Sequence, residues 1–157
     1  MKTQGWMAAL VAAACALLAG CDFNVPLTKT ATQKVNTQLL GNWREQGEKD
    51  PDLLTIRQLD DTTYIATING DAYRVYHSDV ASRALVTVQN LNDDERKYCY
   101  YLWELSPGGA ELTLRRVSPK VVPETVASPE NAQQLIAANL DNPKLFVEPV
   151  AFVREKR

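Results

Sequence analysis

One histidine, three cysteines and two methionines serve a chain of 157 residues, and these scarcities narrow its chemistry. A structural zinc site takes four nitrogen or sulfur ligands. His77 and the thiols do not make one without carboxylates, so no metal is expected. A nucleophilic triad needs a base held between a nucleophile and an acid. The lone His77 is followed by Ser78 and Asp79, but neighbours on a strand face opposite ways, and His77 reads as a surface or hairpin-end residue. The seven glycines are scattered, so no loop cradles a phosphate. Asp93-Asp94-Glu95 lacks the spaced ligands and turn glycine of a calcium loop and reads as solvated. No basic block is present, which argues against nucleic acid. A hydrolase built around His77 or the 93–95 loop is the remote alternative; the expectation is no enzyme and no cofactor.

Long apolar runs are also missing, with one exception. Met7 to Leu18 is apolar, and Lys2 precedes it. At about a dozen residues it is too short to span a bilayer, which takes roughly 20, and it has the plan of a secretory signal. It ends in Leu17-Leu18-Ala19-Gly20-Cys21, which resembles the lipobox of bacterial lipoproteins. The resemblance implies that residues 1–20 are a signal peptide and that Cys21 carries palmitate-type acyl chains. It also implies a cell-membrane anchor facing the periplasm. Asp22 resembles the inner-membrane retention signal of enteric-type lipoproteins, which favours the inner over the outer membrane. Cys15 would then be removed and Cys21 blocked. Cys99 alone would remain, and no internal disulfide could form.

From Cys21 onward there are 137 residues, with 16 basic and 19 acidic side chains and a net charge of −3. That is one domain's worth of chain, with a sizeable core. Residues 21–38 are polar, carry Pro26 and show no sustained period, so they read as a lipidated flexible tether; a short helix near Val35 to Leu40 is allowed. Residues 39–157 read as a single β-rich domain. Strands are expected at Leu39–Glu45, Leu53–Leu59, Tyr64–Ile68, Asp71–His77, Leu85–Gln89, Lys97–Leu105, Glu111–Val117 and Val150–Arg154. Asn69-Gly70 is the strongest hairpin signal, because a type I′ turn needs positive φ at both central positions. Ser128 followed by Pro129 predicts a helix start. Ala132, Leu135, Ile136 and Leu140 recur at helical spacing, and Asn142-Pro143 ends the run.

The expected class is therefore mainly β. Seven or eight antiparallel strands form a small barrel or a strongly curved meander, with one short helix before the last strand. An open meander or sandwich with the helix on one face is the other arrangement. Gly41-Asn42-Trp43 resembles the Gly-x-Trp of lipocalins. That resemblance implies a barrel end closed by Trp43, with Arg154 of the last strand packed across it. Leu39–Trp43, Tyr73–Asp79, Glu95–Tyr98 and Asn142–Phe146 are similar to a group of small uncharacterised proteobacterial lipoproteins, which implies an anchored β domain and no catalytic residues.

What remains for function is binding. Alternation sends Tyr98 and Tyr100 to one face and Tyr101 and Trp103 to the other, with Cys99 as a buried inert thiol. Tyr73, Arg74, Tyr76, Tyr101, Trp103 and Arg115 are the candidate ligand or partner surface, although cross-strand aromatic packing explains the same pattern. The expected function is a non-catalytic binding or interaction module of the cell envelope. Its partner would be an envelope protein or, in a lipocalin-like carrier, a small apolar ligand.

Overall fold

The computed structural model describes residues 23–156. The expected signal peptide, Cys21 and Asp22 lie outside the described residues. Eight strands follow in order: β1 (Gly41–Glu45), β2 (Leu53–Gln58), β3 (Thr63–Ile68), β4 (Asp71–His77), β5 (Leu85–Asn90), β6 (Tyr98–Leu105), β7 (Glu111–Arg116) and β8 (Val150–Arg154). Each pairs antiparallel with its sequence neighbour, and β8 pairs with β1 to close a barrel. A curved meander or open sandwich is thereby excluded. Closure removes the sheet edges that an eight-strand meander would leave exposed.

Local chemistry sets the corners. Asn69 and Gly70 take φ of 50° and 101°, as a two-residue turn between β3 and β4 demands. The one helix, α1 (Pro129–Ala138), precedes β8; the Ser128 side chain accepts from the Asn131 N–H and caps it. Loops 46–52, 69–70 and 91–97, together with the long β7–β8 connection, gather at one end of the barrel, here called the open end. The β2–β3, β4–β5 and β6–β7 turns gather at the other. A 3₁₀ turn, Thr37–Leu39, enters β1 at this closed end.

Alternation along the strands builds two cores. The first fills the barrel: Trp43, Leu54, Ile56, Tyr64, Tyr73, Val75, Tyr101, Trp103 and Phe152 are among its members. The second lies outside, against the outer faces of β5 and β6. There Leu85, Tyr100 and Leu102 meet Ala132 and Ile136 of α1, Leu145, and two residues from the N-terminal segment, Phe23 and Leu27.

That last contact corrects the expected tether. Described residues 23–38 form a strap laid over the wall. Phe23 pairs by two backbone bonds with Tyr98, at 3.1 and 2.9 Å, and stacks on Tyr100 with ring centroids 4.2 Å apart. Tyr100 Oη donates to the Val25 carbonyl (2.6 Å), Tyr76 Oη to the Thr28 carbonyl (2.7 Å) and Gln133 Nε2 to the Leu27 carbonyl (2.9 Å). Thr28, Ser78 and Thr87 form a buried hydroxyl chain, with links of 2.6 and 2.7 Å. Further on, Thr32 N donates to the His77 carbonyl and Val35 N to the Asp61 carbonyl, both at 2.9 Å. Phe23 and Leu27 are fully buried. The polar residues around them satisfy the strap's backbone, which is why a hydrophilic composition folds here.

Candidate functional site

The closed end is built around Arg154. Its guanidinium lies 4.2 Å from the Trp43 ring centroid. Nε donates to the Gly109 carbonyl at 2.9 Å, Nη1 to the Leu40 carbonyl at 2.8 Å, and Nη2 to the Gln38 carbonyl. One side chain thus ties the last strand, the entry to β1 and the β6–β7 turn together, using the planar fork of donors that lysine lacks. Trp43 Nε1 donates to the Leu39 carbonyl at 3.1 Å, so the buried indole is satisfied. Gly41 has φ of +146°, and a Cβ there would come 2.7 Å from Arg154 Nη1. The Gly-x-Trp pair thus has a mechanical reason: the glycine makes room for the arginine that covers the tryptophan.

Tyr64 and His77 form a second buried contact at this end. The Asn36 N–H donates to Tyr64 Oη at 2.6 Å. Tyr64 Oη lies 2.8 Å from His77 Nε2. Which of the two donates in the Tyr64–His77 bond depends on the imidazole tautomer. Nδ1 is buried without a hydrogen-bond partner. Burial depresses the His77 pKa below its usual 6.5, partly offset by the Asp79 carboxylate, and burial raises that of Tyr64. The expectation of a surface histidine is corrected. His77 shares the inward face of β4 with Tyr73 and Val75, and the period-2 pattern carried that signal.

Toward the open end the interior is apolar. A cavity of about 30 Å³ is lined by Leu54, Ala66, Ile68, Val88, Leu114 and Phe152, among others, with Asp52 at its edge. It has room for one or two waters. Glu45 is buried nearby. Its carboxylate accepts from the Asp52 N–H at 3.1 Å, and burial, with Asp52 and Glu48 close by, raises its pKa.

The six residues expected to share a recognition surface occupy three separate places. Tyr73, Tyr101 and Trp103 line the interior. Tyr76 is outside the barrel but covered by the strap, and exposed Arg74 lies over its ring at 5.5 Å. Arg115 is on the outer wall of β7, its Nε 3.9 Å from a Glu104 oxygen. It borders a groove of about 270 Å³ shared with Arg83, Asp141, Asn142 and Phe146. Alternation places the aromatics on two faces as expected, but both faces are buried, one in each core; the exposed aromatic surface is not formed, while Tyr73, Tyr101 and Trp103 line the interior cavity. Cys99 is buried and forms no disulfide.

His77 ends β4 at the closed end, whereas Asp93, Asp94 and Glu95 are exposed in the open-end loop, so the two positions considered for hydrolysis are not brought together. Among the described residues, no three His, Cys, Asp or Glu side chains converge in a way that would hold a metal ion. No described helix is long and apolar enough to cross a membrane.

No family model matches the chain, and neither curated proteins nor solved structures give a match.

Proposed function

We propose that the chain is a membrane-anchored, periplasm-facing lipoprotein, fastened through acyl chains on Cys21, whose barrel is a non-catalytic binding or interaction module of the cell envelope. The observation that carries the binding reading is the asymmetry of the barrel. One end is sealed by Arg154 over Trp43, while the cavity toward the other is lined by apolar side chains, with Asp52 at its edge and buried Glu45 nearby. Such a body offers surfaces and an apolar mouth for binding. Two experiments test it. Palmitate labelling should mark the native chain and miss Cys21→Ala. Crosslinking in intact cells followed by capture from detergent extract should return a reproducible envelope partner; the absence of one in repeated captures would count against the interaction role.

The apolar lining also favours the carrier reading, in which the ligand is small and apolar. Typical small-molecule pockets measure about 300–1,000 Å³, far above the cavity of about 30 Å³ found here. A carrier would therefore open its mouth on binding. Titration with N-phenylnaphthylamine should show saturable fluorescence enhancement that Ala66→Val, which narrows the cavity, reduces. A flat titration would reject the carrier.

A further inference from the structure

We propose that the open end of the barrel is held directly against the bilayer, and that the surface it meets is one of zwitterionic headgroups bearing ammonium groups. The inference rests on the lipoprotein reading of Cys21 and adds an orientation to it. It follows from where the strap is pinned. Phe23 is fully buried, stacked on Tyr100 and bonded twice to the backbone of Tyr98, the first residue of β6. Only Asp22 separates Phe23 from Cys21. Two residues of chain reach about 7 Å at most, so an acylated Cys21 leaves almost no leash. The fixed point is beside the start of β6, next to the open-end loop 91–97. The β6–β7 turn lies at the far end of the 8-residue strand β6, about 25 Å away at roughly 3.3 Å per residue. A long tether would let the barrel tumble; this one does not.

The rim agrees with a surface-facing role. Of the three exposed large apolar side chains among the described residues, Leu53 (44%) and Val147 (37%) lie at this end. Its charge selects the headgroup. Loops 46–52, 69–71 and 91–97 carry seven carboxylate side chains against Lys49, Arg96 and Lys97. An anionic surface would be repelled at low salt, whereas a net-neutral zwitterionic one would not.

The test uses the purified acylated protein in phosphatidylethanolamine–phosphatidylcholine vesicles containing a headgroup-nitroxide lipid. A fluorophore is placed through Asp94→Cys in the open-end loop or through Gly108→Cys in the β6–β7 turn; buried Cys99 does not react. Quenching at position 94 should exceed that at 108 by at least about twofold, given the separation of about 25 Å along β6. Inserting about a dozen Gly/Ser residues between Asp22 and Phe23 should erase the difference. Exchanging the neutral lipids for phosphatidylglycerol at low salt should reduce quenching at 94. Equal quenching at both positions with the native spacing, or stronger quenching at 108, overturns the orientation. Undiminished quenching at 94 in phosphatidylglycerol overturns the headgroup preference. The intact mass of the same sample reports acylation separately. An unmodified Cys21 ends the lipoprotein reading, and a chain coupled through Cys21 to a maleimide lipid, with the fluorophore at 94 or 108 carried on a non-thiol residue, then reads the geometry by itself.

Discussion

Replacing Arg154 with methionine should cost about 3 kcal/mol of stability. Methionine keeps the apolar stem and removes the fork. Three bonds to the carbonyls of Gly109, Leu40 and Gln38 are lost. A buried bond to a charged group contributes about 1.5–3 kcal/mol, but this guanidinium is only partly buried and water can reach the freed carbonyls, so about 0.5–1 kcal/mol each is the better figure. The contact with Trp43 adds about 0.5–1 kcal/mol. With a urea m-value of about 2 kcal/mol/M, the unfolding midpoint should fall by about 1.5 M with the slope unchanged. Arg154→Lys keeps the charge over the ring but reaches fewer carbonyls, and should lose about half as much. A double-mutant cycle with Trp43→Phe should return a coupling of about 0.5–1 kcal/mol. If Arg154→Met unfolds within about 0.5 kcal/mol of the parent, the closed end is held by something other than this side chain.

Three further outcomes are expected. Phe23→Ala should destabilise the domain by about 3 kcal/mol, as for other buried phenylalanines, and open residues 24–34 to limited proteolysis; a true tether would show neither effect. Because burial depresses the His77 pKa, the unfolded chain takes up that proton first as pH falls, so stability should drop below about pH 6.5 by at most about 1.4 kcal/mol per unit and level off once the folded form protonates. His77→Gln, whose amide offers both a donor and an acceptor to the Tyr64 hydroxyl, should remove that contribution in urea titrations at pH 7.5 and 5.5; an identical pH dependence would refute it. Ser128→Ala removes the cap on the Asn131 N–H and should cost about 1 kcal/mol, measured by thermal melting; no change would mean that α1 is held by its packed face alone.

The strands were legible because the signals were local. Asn69-Gly70 fixed one hairpin, and alternation in Tyr73–Val75–His77 and Cys99–Tyr101–Trp103 sorted inside from outside. Ser128-Pro129 gave the start of α1 at its observed residue. The Gly41–Trp43–Arg154 arrangement came from resemblance, and its packing is the one found. What escaped depends on distant partners. Phe23, Val25 and Leu27 alternate, but the period lasts only five residues inside a polar stretch, and nothing local says that Tyr98 and Tyr100 wait for them. Tyr76 and Tyr101 could be placed on opposite faces, yet no sequence pattern tells that both faces are covered. The burial of His77 depends on Tyr64 and Asn36, 13 and 41 residues upstream in the chain, beyond the reach of any local rule.

Because β1 pairs with β8, with Trp43 opposite Arg154, the circle is joined only once residues 150–154 have been made. Until they arrive, β1 and β7 are both raw borders, and the strap's landing site on β6 is still unformed when residues 23–38 emerge. The nascent polypeptide has no early stopping point at which half a barrel would be content, so closure waits for the non-local pairing of β8 with β1.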